Sequence, residues 1–276
     1  MEYINADFYH QGLPGLSASD IKLIWRSPAH FREQKIQPSE PTPAMELGRA
    51  VHMAVLEPDR FAGQYKAIDD TDILAKIGGA RPRATNRYKE WYAELLLDNP
   101  DKTFLELGDY NRALDMARTV RGHRVAGKLL SEPGVAETTL QWKHRVTKTP
   151  MKCRPDWLTE SGKIVDLKTT EDARPTAFSR TIWTYLYHLQ AAVYIEGVKE
   201  TTDRDSPFIF IAVEKEPPYG LMVYELDQET VDLAMSEVDR CIRLYEECSV
   251  MGVWPAYRAE VRQIQLPHWA DVTEVA

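Results

Sequence analysis

The stretch KCRPDWLTESGKIVDLKTT, residues 152–170, carries two aspartates and a lysine where a plain hairpin needs none. Asp156 follows a proline, and after the polar turn TESG, Asp166 and Lys168 lie two residues apart in an apolar run. Because side chains alternate between the faces of a strand, Asp166 and Lys168 share one face. A hairpin can bring Asp156 alongside them. Two carboxylates so close repel each other unless a cation lies between them, and hard oxygen ligands favour Mg²⁺ or Mn²⁺.

The lysine completes a set of side chains suited to phosphodiester hydrolysis. Beside a metal site, a lysine can orient or acidify a water molecule, or stabilise negative charge that develops on a phosphate. The alternative interpretation is a buried Asp–Lys ion pair that only stabilises the hairpin. Taken alone, the three residues favour the metal site and leave the ion pair open.

The charge distribution bears on the kind of partner. The formal net charge of −8 by itself disfavours nucleic acid, but the charges are separated along the chain. Residues 118–154 contain nine Lys and Arg against two acids, whereas residues 225–247 contain eight acids against two arginines. This pattern favours one basic face that binds a polyanion. The alternative is that the basic and the acidic segment both form surfaces that contact only solvent.

Several classes of protein are disfavoured. The cysteines Cys153, Cys241 and Cys248 lack the spacing of a disulfide framework, a structural zinc or an iron–sulfur cluster. No P-loop, G-x-S-x-G or G-x-G-x-x-G motif occurs. Apolar runs fall far short of the roughly 20 residues of a membrane helix, and the N-terminus lacks a secretory signal pattern. We therefore expect a cytoplasmic protein without a membrane partner.

Some polar residues are set aside. Three histidines have no motif around them: His123, His144 and His188. Ser17 and Ser19 are better explained as helix caps than as nucleophiles.

The hydrophobic periodicity predicts the elements that must position the site. Helices are predicted at about 17–26, 44–57, 86–97, 109–130, 175–198 and 227–248. Strands are predicted at 135–146, 151–158, 163–170, 207–214 and 220–226, the first three antiparallel, whereas 62–85 looks irregular. This order predicts a mixed α/β sheet flanked by helices. We divide it into a helical N-terminal elaboration, 1–130, and a core, 131–276, which together form one compact domain.

Five short motifs occur in a suggestive order. They are G-R-A-V-H at 48–52, E-T-T-L at 137–140, P-D at 155–156, D-L-K-T at 166–169 and Q-A-A-V-Y at 190–194. Together they resemble the RecB-like branch of the PD-(D/E)XK nuclease superfamily. The segments LSASDIKLIWRSPAHF and LGRAVHMAVLEP resemble RecE-type exonuclease VIII in particular, and the resemblance covers about residues 12–255. It implies a restriction-endonuclease-like fold, with a mixed central β-sheet, flanking helices and a helical N-terminal elaboration.

The resemblance implies a role for each acidic motif residue. Asp156 and Asp166 would be the primary metal ligands, helped by the backbone carbonyl of Leu167. His52 would bind a metal or its water molecule, and Glu137 would complete the acidic cluster. The plainer alternatives are a structural histidine and a glutamate paired with a neighbouring basic residue. The implied cofactor is Mg²⁺, with Mn²⁺ as a substitute.

The remaining motif residues would act on DNA. Lys168 would act on the attacking water or on the scissile phosphate. Gln190 and Tyr194 lie four residues apart, hence on one face of their helix, where they would hold Lys168 or the DNA backbone. Tyr194 could equally be a core residue. Arg154, from the basic segment, is a further candidate DNA contact.

The resemblance also implies an activity and partners. It predicts a Mg²⁺-dependent exonuclease that acts on double-stranded DNA ends, 5′ to 3′, and leaves 3′ single-stranded tails for annealing recombination. A RecT-type single-strand annealing protein would be its partner, and a homo-oligomeric ring would enclose the DNA. The alternatives are a Cas4-like or other DNA-processing endo- or exonuclease, and a non-catalytic DNA-binding protein that retains the nuclease fold.

Overall fold

The structure is a computed structural model that describes residue 9, residues 12–37 and residues 42–265. The helices are α1 Ala18–Arg26, α2 Pro28–Ile36, α3 Pro43–Leu56, α4 Pro58–Gln64, α5 Asp70–Ile77, α6 Asn86–Asp98, α7 Leu107–Gly122, α8 Arg124–Ser131, α9 Pro175–Thr184, α10 Tyr187–Thr202 and α11 Gln228–Met251. The strands are β1 Tyr65–Ile68, β2 Thr103–Glu106, β3 Gly134–Ala136, β4 Leu140–Lys143, β5 Pro150–Cys153, β6 Trp157–Thr159, β7 Ile164–Thr170, β8 Phe208–Glu214 and β9 Leu221–Glu225. Within these described ranges, no helix is both long and apolar enough to cross a membrane.

A five-stranded mixed sheet forms the centre, in the order β3-β6-β7-β8-β9. The β7–β8 pair is parallel and the other three pairs are antiparallel. A parallel pair needs a long crossover, and α9 and α10 provide it. Strands β7 and β8 are almost entirely buried because helices cover both faces of the sheet. The predicted mixed sheet flanked by helices is confirmed.

Alternate residues of β7 belong to two separate hydrophobic cores. On one face, Ile164 packs in a core with Phe208 and Phe210 and with side chains of α1, α10 and α11. On the other face, Val165 and Leu167 pack in a core with side chains of α3 and α7. Asp166 and Lys168 therefore point towards the α10 side, as the alternation predicts.

Two predicted strands are in fact broken. The predicted strand 135–146 is divided into β3 and β4 at Glu137, whose φ of 51° lies in the left-handed region. The predicted strand 151–158 is divided into β5 and β6 at Arg154-Pro155-Asp156. The two halves β4 and β5 pair with each other outside the central sheet, and Met151 of β5 also forms a parallel bridge with Leu16. Periodicity misses these breaks because a single left-handed residue or proline redirects the chain while the alternation around it continues.

Three further predictions are corrected. The predicted helix 109–130 is two helices, because His123 ends α7 and caps α8 by accepting the Ala126 N–H at 3.2 Å. The predicted helix 175–198 is α9 and α10, separated by Leu186 with a φ of 53°. Residues 62–85 are not irregular, since they contain β1, α5 and a short 3-10 turn at Pro82–Ala84. The N-terminal part thus adds a small parallel sheet, β1–β2, to its helices.

Candidate active site

The strand register puts three carboxylates at the same level of three neighbouring strands. Both ladders of β6 end at Trp157. One residue before it, Asp156 lies opposite Glu137 on the extension of β3 and opposite Asp166 on β7. The Glu137 N–H donates to the Asp156 carbonyl at 3.1 Å, as the first of these pairings requires. The structure therefore brings together the three acids singled out in the sequence.

Asp156 takes the place of a strand partner for β7. If the β6–β7 register is extended by two residues, Pro155 lies opposite Leu167, and the chain leaves the sheet at this proline. The Asp156 Oδ2 atom instead accepts the Leu167 N–H at 2.7 Å. Burial would raise the pKa of this carboxyl, but His52, Lys168 and the Leu167 N–H hold it below its usual range. Leu167, predicted to offer its carbonyl, is placed at the site through its N–H.

His52, Glu137 and Asp156 form a compact group at this end of the sheet. Each offers a ligand atom, and these three atoms all lie within 4.8 Å of one another. Helix α3 carries His52, whose Nδ1 atom lies 3.3 Å from Asp156 Oδ2. Burial would lower the pKa of His52, but the adjacent Asp156 carboxylate outweighs it and raises the pKa to about 8. The histidine of the G-R-A-V-H segment thus reaches the hairpin acids across more than one hundred residues of chain.

Glu137 is aimed into this group by its backbone and by an arginine. The left-handed conformation of Glu137 ends β3 and turns the chain out of the sheet. Arg154 Nε lies 2.9 Å from Glu137 Oε2 and also donates to the Glu137 carbonyl at 3.0 Å. Burial, reinforced by Asp156, raises the pKa of Glu137 to about 7. A non-glycine residue held at positive φ beside buried charges is typical of a functional site.

Asp166 lies at the centre and is fully buried. Its Oδ1 atom accepts a hydrogen bond from Gln190 Nε2 at 2.8 Å, and its Oδ2 atom lies 2.5 Å from Lys168 Nζ. Within the described part of the chain, no donor is aligned with Oδ2 as in a regular hydrogen bond. Burial raises the pKa of Asp166 to about 6, although Lys168 opposes the shift.

Lys168 is the cation beside Asp166. Burial would lower the pKa of its ammonium, but Asp166 and Asp156 outweigh burial and raise it. Its Nζ atom also lies 4.7 Å from the centre of the Tyr187 ring, a cation–π contact. Lys168 therefore carries a fixed ammonium that a phosphate group can share with the two aspartates.

These residues fit a hard divalent cation. The carboxylates of Glu137, Asp156 and Asp166 are the hard oxygen ligands that Mg²⁺ and Mn²⁺ prefer, and the imidazole of His52 lies where it can contact the metal or its water molecule. The buried Oδ2 atom of Asp166 has the Lys168 ammonium at 2.5 Å but, among the described residues, no donor aligned as in a regular hydrogen bond, so it still has a lone pair for a cation. Burial raises the pKa values of Glu137 and Asp166 although Arg154 and Lys168 lie beside them, so a bound cation would stabilise their ionised forms further.

The sequence motifs did not indicate two side chains of the site, Lys22 and Tyr187. Lys22 of α1 lies with its Nζ atom 3.2 Å from Gln190 Oε1 and 4.9 Å from the centre of the Tyr187 ring. Tyr187 is therefore contacted by two lysines, Lys22 and Lys168. Burial, together with the Lys168 ammonium, lowers the pKa of Lys22 to about 7. Tyr187 lies one helical turn before Gln190, so that spacing could have indicated it. No local spacing points to Lys22.

The predicted DNA contacts are only partly at the surface. Gln190 bonds Asp166 rather than Lys168, the partner first expected. Tyr194 is 9% exposed, and its ring centre lies 6.1 Å from that of Phe208 in the core, as in the alternative interpretation of a core residue. Arg154 is 8% exposed and is engaged by Glu137, so its place is that of an internal counter-ion. Both side chains are directed into the protein, Tyr194 from helix α10 and Arg154 from the break between β5 and β6, and their contact with DNA stays a prediction.

The predicted separation of a basic face from an acidic one is also corrected. Lys152 of the basic segment is buried and donates to the Tyr9 and Leu13 carbonyls. Arg145 lies 3.4 Å from Asp239 of the acidic helix α11. The turn between β4 and β5 therefore contacts α11, and part of the basic segment neutralises the acidic one.

The comparisons with known proteins agree with this geometry. Residues 17–266 match the family described as PDDEXK-like domain of unknown function (DUF3799). This chain belongs to that family. The match covers nearly the whole of the chain, so the PDDEXK-like fold extends over the N-terminal helices as well as the sheet. No curated protein is similar enough to the chain to count as a match.

Three solved structures are similar to this PDDEXK-like protein to different degrees. A candidate exonuclease from Eubacterium rectale is 15% identical, with a TM-score of 0.60 over 90% of this chain and 88% of that one. An alkaline exonuclease from Laribacter hongkongensis is 13% identical, with a TM-score of 0.31 over 71% of this chain and 96% of that one. A phage-related exonuclease from Haemophilus somnus is 13% identical, with a TM-score of 0.33 over 65% of this chain and 94% of that one. The first of these likenesses shows a common fold.

Proposed function

We propose that this PDDEXK-like protein is a divalent-metal-dependent nuclease that hydrolyses phosphodiester bonds at the ends of double-stranded DNA. The observation that carries the proposal is the row of Glu137, Asp156 and Asp166 across three neighbouring strands, with Lys168 2.5 Å from Asp166. Buried carboxylates whose pKa values are pushed apart, next to a lysine, are a recurring mark of catalytic sites. A purely structural ion pair would need one acid and not three.

The residues divide into groups with different tasks. His52, Glu137, Asp156 and Asp166 would hold the metal, which when bound supplies a Lewis acid that lowers the pKa of a water molecule and neutralises phosphate charge. Lys168 keeps its proton and places positive charge where a phosphate oxygen gains charge during in-line attack. Gln190 fixes the orientation of the Asp166 carboxylate.

The finer parts of the proposal rest on the resemblance to RecE-type exonucleases. They are digestion of one strand from 5′ to 3′, release of 3′ single-stranded tails for annealing recombination, a ring of several copies around the DNA, and a RecT-type annealing partner. The likeness to the candidate exonuclease from Eubacterium rectale supports an exonuclease over other chemistries at the same fold. Because one fold hosts many activities, the reaction must be measured.

The test is release of nucleotides from linear and from nicked circular duplex DNA, with Mg²⁺, Mn²⁺ or EDTA. We expect digestion of linear DNA only, dependent on metal and abolished by Asp166→Ala. Cleavage of the circle would instead indicate an endonuclease. No digestion with either metal would contradict the enzymatic function and favour a DNA-binding protein that retains the nuclease fold.

A matched control separates the loss of a ligand from the loss of a charge. Asp205 is an exposed aspartate that pairs with Lys199 far along the chain from the site residues. Asp205→Ala removes the same side chain and should digest linear DNA like the wild type. Equal loss in both variants would mean that the Asp166 variant fails for a reason other than the site. Labelling each strand end in turn then gives the polarity.

A further inference from the structure

Two large aromatic side chains lie in solvent at the junction of α9 and α10. Trp183 is 59% exposed and Tyr185 is 60% exposed. The junction owes its shape to Leu186, whose φ of 53° is a left-handed conformation that a bulky residue rarely adopts. Helix α9 ends just before Tyr185 and α10 begins at Tyr187, so the break sets the positions of the rings. We call Trp183 and Tyr185 the aromatic pair.

The aromatic pair is linked to the candidate active site through one ring. Tyr185 stacks on Tyr187, with ring centres 5.6 Å apart and planes at 21°. The Tyr187 ring is in turn contacted by Lys168 at 4.7 Å and by Lys22 at 4.9 Å. A group that stacks on the free side of Tyr185 would thus be one ring away from the lysine proposed to act on the scissile phosphate.

Trp183 is held in place although it is exposed. Its ring stacks on His188 with centres 5.4 Å apart and planes at 9°, and it meets Trp25 edge-on at 6.2 Å. Trp25 is itself anchored, because its Nε1 atom donates to Glu237 at 3.0 Å. An exposed ring that neighbouring rings have already oriented loses little freedom when a flat ligand stacks on it.

The charge around the aromatic pair suits a polyanion. Residues 173–195 contain no Asp or Glu, although the whole chain has 42 of them in 276 residues. The same stretch contains Arg174 and Arg180, and Arg180 precedes Trp183 by three residues on α9, hence on a neighbouring part of the helix face. Outside this stretch, Asp172 pairs with Arg174 at 2.6 Å and Glu237 accepts from Trp25, so Arg180 is the basic side chain of α9 that serves the rings. Exposed rings beside a basic side chain are typical of a surface that binds single-stranded nucleic acid.

We propose that Trp183 and Tyr185 form a stacking site for unpaired bases of the DNA strand that enters the active site. The inference rests on the proposed function and deepens it, because it names the state of the substrate: a strand end whose bases are separated from the opposite strand. The rings would hold bases by stacking, without reading their sequence, since every base has a flat face. The preferred substrate is then a frayed or tailed duplex end over a blunt, G·C-rich one.

Binding is measured without hydrolysis, as fluorescence anisotropy of labelled single-stranded oligothymidine in EDTA. Trp183→Ala and Tyr185→Ala should each weaken binding about 10-fold, the usual effect of removing one stacking ring. Tyr185→Phe keeps the ring and should bind like the wild type. Tyr257→Ala removes a tyrosine that is 70% exposed and lies beside His30 of α2, and should also leave binding unchanged.

An abasic oligonucleotide makes the test specific for bases. A single abasic nucleotide, moved along the strand, should weaken binding to the wild type at one or two positions and should have no further effect in Tyr185→Ala. The proposal is overturned if the alanine variants bind within about 2-fold of the wild type, or if the abasic effect persists undiminished in Tyr185→Ala. Sedimentation of the same variants addresses the other possible occupant, a second copy of the chain. Dissociation of an oligomer without an abasic effect on binding would overturn the stacking site.

The outcome is independent of catalysis. A wild type that binds single strands through the aromatic pair but releases no nucleotides would refute the nuclease and leave the stacking site standing. If the wild type digests DNA while the alanine variants bind oligothymidine normally, the stacking site is refuted and the nuclease stands. Kinetics give a second measurement: Tyr185→Ala should raise KM for tailed duplexes about 10-fold with kcat little changed.

Discussion

Replacing Glu137 with glutamine should stabilise the metal-free protein at high pH. Burial and the neighbouring Asp156 raise the pKa of Glu137 from the usual 4.5 to about 7. Ionised Glu137 therefore costs folding stability, and glutamine removes the charge while it keeps an oxygen for Arg154. A shift of this size corresponds to about 3 kcal/mol once the carboxyl is ionised in both the folded and the unfolded protein.

The sign and the pH range follow from the raised pKa. Below the usual pKa the carboxyl is protonated in both states, so the two proteins have similar stabilities. As the pH rises from 4.5 through 7, the unfolded chain ionises first and the wild type loses stability relative to the variant. The difference in free energy of unfolding should therefore grow by about 2 to 3 kcal/mol between about pH 5 and about pH 8.

The assay is urea denaturation of both proteins in EDTA across this pH range. The matched control is Glu132→Gln, since Glu132 lies 2.6 Å from Lys163 and that hydrogen bond lowers its pKa. The free energy of unfolding of Glu132→Gln should be lower than that of the wild type, and this difference should not change in favour of the variant as the pH rises. If the difference in free energy of unfolding between Glu137→Gln and the wild type stays flat from about pH 5 to about pH 8, burial of Glu137 does not outweigh its pairing with Arg154, and the reasoning is refuted.

The same cluster predicts how a metal acts on stability. With Mg²⁺ or Mn²⁺ added at about pH 8, the wild type should gain stability, because a ligand that binds only the folded state shifts the equilibrium towards it. Glu137→Gln should gain clearly less, since it has lost one of the ligands. An equal gain in both proteins would remove Glu137 from the metal site.

Three further changes give separate tests. Lys168→Met should lower kcat at least about 100-fold, because it removes the positive charge beside Asp166. The affinity for DNA, measured by gel shift, should stay near that of the wild type. A kcat within about 10-fold of the wild type would contradict the role of Lys168. Lys22→Met should lower kcat more mildly by freeing Gln190, with Lys22→Arg restoring part of it, and an unchanged rate would mean that Lys22 only packs on α10. Gly197→Ala should lower the free energy of unfolding, measured by urea denaturation, by about 1 to 3 kcal/mol, since a Cβ there would lie 2.7 Å from Trp142 and 2.8 Å from Cys153. An unchanged stability would show that β4 and β5 shift to accommodate the methyl group.

The sequence determined the fold class and the main groups of the candidate site. Strand alternation alone put Asp166 and Lys168 on one face, with Val165 and Leu167 on the other, because side chains of a strand repeat every two residues whatever surrounds them. The motif order indicated that His52 and Glu137 belong with the hairpin acids, and the structure brings them within reach of Asp156.

Only the tertiary structure decided where those groups point and what joins them. Lys22 meets Gln190 across 168 residues of chain, a distance over which local periodicity carries no information. The left-handed residues Glu137 and Leu186 interrupt stretches whose hydrophobic pattern continues unbroken, so the pattern predicts one element where there are two. These breaks are imposed by packing between distant elements, which compensates for the backbone strain that the local sequence would avoid. They turn Arg154 inward, aim Glu137 at Asp156 and set the ring of Tyr185 beside that of Tyr187.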